Sequence, residues 1–177
     1  MVLADFNLLV STSRGYENDA CSELWFLLGE IGDQQALVER SGVSGLIVAK
    51  TALGPFRVVK DLRRMVKDRP WEFRYTLKVV PIEAVVRTKL EDIGGASLSL
   101  SAKISKEETF RVTVEKRHTE LPTKEIVEAV AEGIDRKVDL ENPDKIVLVQ
   151  VVGGLTGVSI IRPNDILSVA KERPSQP

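Results

Sequence analysis

Lys137-Val138-Asp139-Leu140-Glu141-Asn142-Pro143-Asp144 runs directly into Lys145-Ile146-Val147-Leu148-Val149-Gln150-Val151-Val152. Asn142, Pro143 and Asp144 turn the chain, because Asn and Asp side chains bond nearby backbone and proline fixes φ. The run 146–152 is apolar at odd and even positions alike, the pattern of a central strand covered on both faces. Working outward from it, TFRVTVEKR (Thr109–Arg117) alternates as a half-buried strand. Phe110, Val112 and Val114 point one way, and Arg111, Thr113, Glu115 and Arg117 the other. Thr123 caps a helix carrying Ile126, Val127, Val130 and Ile134. Gly153-Gly154-Leu155-Thr156-Gly157 leads into a last strand at 158–161. Its glycines lack the spacing of a dinucleotide or P-loop motif, so they read as a hairpin rather than a phosphate cradle. Residues 82–105, broken at Gly94-Gly95, read as two short helices with a glycine joint.

The first half has a different order. FNLLV (6–10) is a buried strand, and residues 15–28 place Ala20, Leu24, Leu27 and Leu28 at helical spacing. Two β-rich runs, 35–40 and 46–50, flank the turn Ser41-Gly42-Val43-Ser44-Gly45. Pro55 opens a helix whose apolar stripe is Val58, Val59, Leu62, Met65 and Val66. EFRYTLKVV (72–80) is then a strand. The order βαββαβ is that of a ferredoxin-like domain, an antiparallel sheet with two helices on one face. The fold class is α+β: a ferredoxin-like domain over 1–82, a second domain with the order αα-β-α-β-β over 83–165, and a tail at 166–177, its Pro-Ser-Gln-Pro end frayed.

Composition narrows the chemistry. The chain has 177 residues, 43% of them apolar, enough for a core in each of two small domains. One cysteine, Cys21, leaves no internal disulfide and fits a reducing, cytoplasmic compartment. One histidine, His118, with that cysteine falls short of a zinc site, and any nucleophile–histidine pair would have to use it. No metal site is expected. Residues 1–10 carry Asp5 and no basic run, unlike a signal peptide, and no apolar run is long enough to span a bilayer. The net charge is −1, yet its distribution is uneven: residues 57–69 hold six basic side chains against Asp61 and Asp68. A second basic stretch contains Lys103, Lys106, Arg111, Lys116, Arg117 and His118.

The second half resembles the THUMP domain, on Phe110-Arg111-Val112 through Lys116-Arg117, the helix after Thr123, and above all Val138-Asp139-Leu140-Glu141-Asn142-Pro143-Asp144 followed at once by a β-run. That family is an RNA-binding module of tRNA thiolation, methylation, deamination and acetylation systems, commonly preceded by a ferredoxin-like domain. The ending Gly153–Ile161 is similar to that of stand-alone THUMP proteins that assist an RNA cytidine acetyltransferase. The resemblance implies a non-catalytic adaptor that binds tRNA, by its acceptor end, and presents it to a separate enzyme making N4-acetylcytidine. The acetyl donor and any nucleotide would belong to that catalytic partner, so no cofactor is expected in this chain. Neither DNA nor a membrane is an expected partner.

The candidate RNA-binding residues are Lys103, Lys106, Arg111, Lys116, Arg117, His118, Lys124 and Arg162. Arginine meets phosphate with a planar two-pronged donor and lysine as a mobile point charge. Arg57, Lys60, Arg64 and Lys67 form a secondary basic face, either a second phosphate track along the RNA or a docking face for a partner. Cys21 reads as a small core residue, and Trp25, Phe26 and Trp71 as core or inter-domain packing, with an exposed stacking role as the alternative for Trp71, which follows Pro70 at the end of the basic helix. The other readings are a subunit for another tRNA modification, thiolation or methylation, a metabolite-sensing ferredoxin-like domain, and a self-contained enzyme for which no constellation is visible.

Overall fold

The computed structural model describes residues 3–175. Met1 and Val2, and Gln176 and Pro177 of the tail expected to fray, lie outside the described residues. The chain divides into two compact units, each built on a five-stranded sheet. One holds the chain up to Ile82 together with the segment from Asp165, and the other is Glu83–Asn164.

The first unit begins with β1 (Leu8–Ser11), α1 (Glu17–Glu30), β2 (Leu37–Arg40), β3 (Leu46–Lys50), α2 (Pro55–Asp68) and β4 (Lys78–Pro81). β1 pairs antiparallel with β3 on one side and β4 on the other, and β2 lies outside β3. Leu8, Val10, Ile47, Ala49 and Val79 share one buried cluster with Leu24, Leu27 and Leu28 of α1 and Val58, Leu62 and Val66 of α2. Each such side chain, fully buried, stabilises the fold by about 1.5–3 kcal/mol. Pro55 occupies the first turn of α2, after Gly54 at φ 86°. The strand expected over 72–80 forms only from Lys78. The Glu23 carboxylate accepts the backbone N–H groups of Arg74 (2.7 Å), Tyr75 (3.0 Å) and Thr76 (2.6 Å), which removes those donors from any ladder.

Trp25, Phe26 and Trp71 are not core residues: they are 61%, 41% and 65% exposed. Each helical residue is rotated about 100° from the last, so with Leu24, Leu27 and Leu28 inward Trp25 and Phe26 turn away. Phe73, 1% exposed, takes the core position near Trp71. Cys21 packs partly buried against the same cluster, where burial raises its thiol pKa.

The second unit contains β5 (Ala84–Arg87), α3 (Leu90–Leu100), β6 (Thr109–Arg117), α4 (Thr123–Glu132), β7 (Lys137–Val138), β8 (Lys145–Val152) and β9 (Leu155–Ile161). The sheet order is β5-β9-β8-β6-β7. β6 and β8 are parallel over their whole length, β8 and β9 form an antiparallel hairpin, and β5 pairs antiparallel with β9. Ile93 of α3 and Ile126 and Val130 of α4 join Phe110, Val147, Val149, Val151, Val158 and Ile160 in one core. β8 sits centrally and buries every residue from Val147 to Val152, as a run apolar at all of these positions but Gln150 requires.

The two helices expected over 82–105 are instead β5 and a single α3 running through Gly94-Gly95. A Cβ on Gly94 would stand 3.0 Å from the Ala129 carbonyl oxygen of α4. The glycine lets two helices approach, and does not break one. Ala84, Val85 and Val86 pair with Val158, Gly157 and Thr156 as an edge strand.

The segment read as a tail returns to the first sheet. β10 (Leu167–Ser168) pairs antiparallel with β4, and α5 (Val169–Glu172) follows. Leu167 and Val169 are buried, Arg63 binds Glu172 (3.0 Å) and the Ile166 carbonyl (3.2 Å), and Arg173 donates to the Phe73 carbonyl at 2.6 Å. No helix among the described residues is long and apolar enough to cross a membrane.

Candidate nucleic-acid interface

Strand direction decides where the charges of the second unit gather. β8 is parallel to β6, and β5 and β8 are each antiparallel to β9, so β5, β6 and β8 all point the same way. Arg87, Leu155, Val152 and Arg117 form one row across the four strands. With strands about 4.8 Å apart, Arg87 and Arg117 stand about 14 Å apart across that end. α3 starts three residues after Arg87, α4 six after Arg117, and neither N-terminus has a side-chain cap. Helix N-termini at the carboxyl ends of parallel strands present backbone N–H groups and partial positive charge to anions.

Basic side chains cluster at this same end. Lys116 is exposed and donates to the Leu121 carbonyl at 3.0 Å. Arg117 is half-buried and its Nη1 donates to Gln150 Oε1 at 2.6 Å; burial lowers its pKa, against the opposing charge of Glu115. His118 follows β6 directly, exposed, in the left-handed region at φ 57°. Lys124, in the first turn of α4, is loosely paired with Glu128 at 4.0 Å. Arg87 and Lys89, which sequence reasoning passed over, are exposed here and make no side-chain bond among the described residues. A strand assignment for 84–87 would have found them, since it fixes which end of the sheet they reach. The β8–β9 turn closes the same end, with Gly153 N–H donating to the Arg117 carbonyl and the Thr88 hydroxyl to the Gly153 carbonyl at 2.7 Å.

The other expected residues lie at the opposite end of β6, about 20 Å away at 3.3 Å per residue. Most cations there are tied to protein. Lys103 binds Glu83 (2.8 Å) and the Ile160 carbonyl (2.9 Å), and Arg111 donates to the Leu140 carbonyl at 2.8 Å. Lys145, buried, joins the Lys103 carbonyl and Glu108. The Glu108 carboxyl is pushed down to about 2 by the Ser105 N–H and then by Lys145. Lys106 is exposed, and Arg162 follows β9 at this end. Asp144 accepts the Thr109 N–H at 2.8 Å, and Asp139 accepts the N–H groups of Glu141 and Asn142, so the Asn-Pro-Asp turn is built by backbone capture. The eight candidates therefore form two groups, not one patch.

In the first unit α2 exposes Arg57, Lys60, Arg64 and Lys67. Arg57 pairs with Asp61 at 3.3 Å and Lys67 with Glu172 at 3.8 Å.

Residues 87–161 match the THUMP domain. The matched residues span the last residue of β5, α3, β6, α4, β7, β8 and β9. The mouse protein THUMP domain-containing protein 1 is 26% identical over 172 residues, covering 86% of this chain and 48% of the mouse protein. The chain spans about half the length of that relative. Among solved structures, PH1313 from Pyrococcus horikoshii superposes with a TM-score of 0.62 at 18% identity, over 92% of this chain and 55% of that one. A 4-thiouridine synthetase in complex with RNA and ATP superposes with a TM-score of 0.54 at 17% identity, over 89% of this chain and 42% of that one. At such identities these two structures establish a shared fold.

Proposed function

We propose that this chain is a tRNA-binding adaptor that presents tRNA to a separate modification enzyme, an RNA cytidine acetyltransferase that makes N4-acetylcytidine, in the cytoplasm. The observation that carries the RNA reading is the carboxyl end of β5, β6 and β8 in the THUMP region. Arg87, Lys89, Lys116, Arg117, His118 and Lys124 gather there with two uncapped helix N-termini. Phosphate neutralisation at such a surface positions RNA without reading its sequence. The adaptor then acts by effective concentration, turning the enzyme's encounter with tRNA into a nearly intramolecular one. The acetylation reading draws on the ending Gly153–Ile161. The βαββαβ order and the strand order β4-β1-β3-β2 support a ferredoxin-like first domain. Lys103, Lys106, Arg111 and Arg162 serve in this reading as a second phosphate contact.

A second reading, a subunit for another tRNA modification, thiolation or methylation, draws on the fold shared with a 4-thiouridine synthetase–RNA complex and with a putative methyltransferase. Anisotropy of labelled tRNA at two salt concentrations tests the adaptor, with a parallel titration of tRNA trimmed of its single-stranded 3′ end. Salt-sensitive binding weakened by trimming is expected. Absence of binding to either RNA overturns the proposal and favours a metabolite-sensing domain. The modifying enzyme that co-purifies separates acetylation from thiolation or methylation.

A further inference from the structure

Trp71 is 65% exposed, in a single tight helical turn (Pro70–Glu72) directly after α2. The backbone that carries the indole is fixed. Pro70 fixes its own φ, and the Glu72 and Phe73 N–H groups close the turn onto the Arg69 and Pro70 carbonyls at 3.1 Å. Phe73 is buried to 1% and its carbonyl accepts Arg173, so the core position that Trp71 would need is filled.

The exposed row of α2 leads to this turn. Arg57, Lys60, Arg64 and Lys67 recur at steps of three and four residues, which places them on one helix face. α2 ends at Asp68, Arg69 leaves the helical region at φ −137°, and Trp71 stands in the turn that follows, four residues past Lys67. Lys60 and Arg64 make no side-chain bond among the described residues. Beside the row, Arg57, Arg64 and Arg69 share an open cleft of about 420 Å³. The buried stripe of α2 is complete without these side chains; Arg57, Lys67 and Arg69 hold surface ion pairs with Asp61, Glu172 and Glu30, which leaves Lys60 and Arg64 as the unpaired members of the row among the described residues.

We propose that Trp71 and the basic row of α2 form a second RNA contact, in the first unit, which takes an unpaired nucleotide. Its base stacks on the indole and the adjoining phosphates lie along Lys67, Arg64 and Lys60. The two halves of the surface match the two halves of a nucleotide. Every base has a π-face, and an exposed aromatic ring beside a cationic track is the arrangement that binds single strands without sequence preference. A base-paired nucleotide hides its faces in the stack, so the occupant is a single-stranded end, loop or bulge. An acidic peptide would account for the cations and leave the bare indole unexplained. An apolar peptide would do the reverse. The proposal rests on RNA being this chain's ligand.

The chain has two tryptophans, Trp25 and Trp71. Trp25→Phe leaves Trp71 as the sole indole emitter. This variant is titrated with labelled tRNA, with unlabelled single-stranded RNA and with polyglutamate, following indole emission and tRNA anisotropy together. The expected result is quenching of Trp71 that saturates at the same tRNA concentration as the anisotropy. Trp71→Ala is expected to weaken tRNA binding about tenfold, within the range for loss of one stacked base, and Trp71→Phe to retain most of the affinity. Circular dichroism checks that both variants fold. Full anisotropy with unchanged emission and undiminished affinity of Trp71→Ala overturns the platform and leaves the adaptor standing. Absence of tRNA binding in wild type and variants overturns both. Quenching by polyglutamate and not by RNA makes the surface a protein-docking site and overturns the proposal.

Discussion

Arg117 Nη1 donates to Gln150 Oε1 at 2.6 Å, joining the end of β6 to a side chain of β8 that is 3% exposed. Gln150 is the polar interruption in the apolar run of β8, and Arg117 is what satisfies it. The arginine therefore has two roles, holding a buried amide and lending charge to the carboxyl end of the sheet. Arg117→Ala should cost about 1–3 kcal/mol of stability by orphaning the amide oxygen. Lys116→Ala, one residue earlier and exposed, should change stability by less than about 0.5 kcal/mol. Urea denaturation separates them, and equal midpoints for the two variants would refute the double role.

Gly94 and Gly95 are adjacent and should respond oppositely to alanine. At Gly94 a methyl meets the Ala129 carbonyl at 3.0 Å, and backbone cannot swing aside as a side chain can. Gly94→Ala should destabilise by about 1–3 kcal/mol, the range for overpacking. At Gly95 a methyl meets nothing within 4 Å. Gly95→Ala should stabilise by up to about 1 kcal/mol through helix propensity. Thermal melts of the two variants on either side of wild type are the expected result. Two shifts of the same sign would show that the helices are not packed at Gly94.

That pair marks the limit of what sequence alone discloses. Local periodicity is legible: Thr109–Arg117 alternates and forms β6, and the stripe Val58, Val59, Leu62, Met65, Val66 is buried along α2. The glycine pair misleads because the reason for Gly94 is Ala129, thirty-five residues away in sequence and adjacent only once α3 and α4 pack. Leu167 and Val169 look like tail because their partners, Val79 and Leu77, precede them by some ninety residues. The same holds at the candidate site. Charge clusters are visible in sequence, but strand direction decides which cations share an end. That direction separates Lys103 and Arg111 from Lys116 and Arg117, and adds Arg87 and Lys89.

Asp33 gives the first unit a pH dependence. It is 4% exposed and accepts Thr51 Oγ1 at 2.6 Å, the Ala52 N–H at 2.9 Å and the Gln35 N–H at 3.0 Å. Burial works to raise its pKa, but the three donors together outweigh burial and lower it. Ionised Asp33 therefore stabilises the fold fully above the unfolded carboxyl value of about 3.9, and that stabilisation is lost as pH falls through the lower folded value. Asp33→Asn replaces a double acceptor with a group that also donates, and should cost about 1–3 kcal/mol at neutral pH. The gap between wild type and variant should narrow as pH drops below about 4. Urea midpoints at neutral and acidic pH measure it, and a gap independent of pH would mean that Asp33 is not held ionised.

The two ends of β6 make different predictions for RNA. Removing one phosphate-binding charge should reduce the slope of log affinity against log salt by about one. If the carboxyl end of the sheet faces RNA, Arg87→Ala and Lys89→Ala should each lower that slope and weaken tRNA binding at moderate salt. Both side chains are exposed and unbonded among the described residues, so stability should hold within about 0.5 kcal/mol. Lys106→Ala removes an exposed charge at the other end; it should lower the slope as well if that end is the second phosphate contact, and leave it unchanged if only the carboxyl end carries RNA. Anisotropy titrations across a salt series decide between the ends. A slope that falls with Lys106→Ala and not with Arg87→Ala or Lys89→Ala would move the interface to the end where Arg111 and Arg162 lie. A slope that falls with all three would mean that RNA spans the full length of β6.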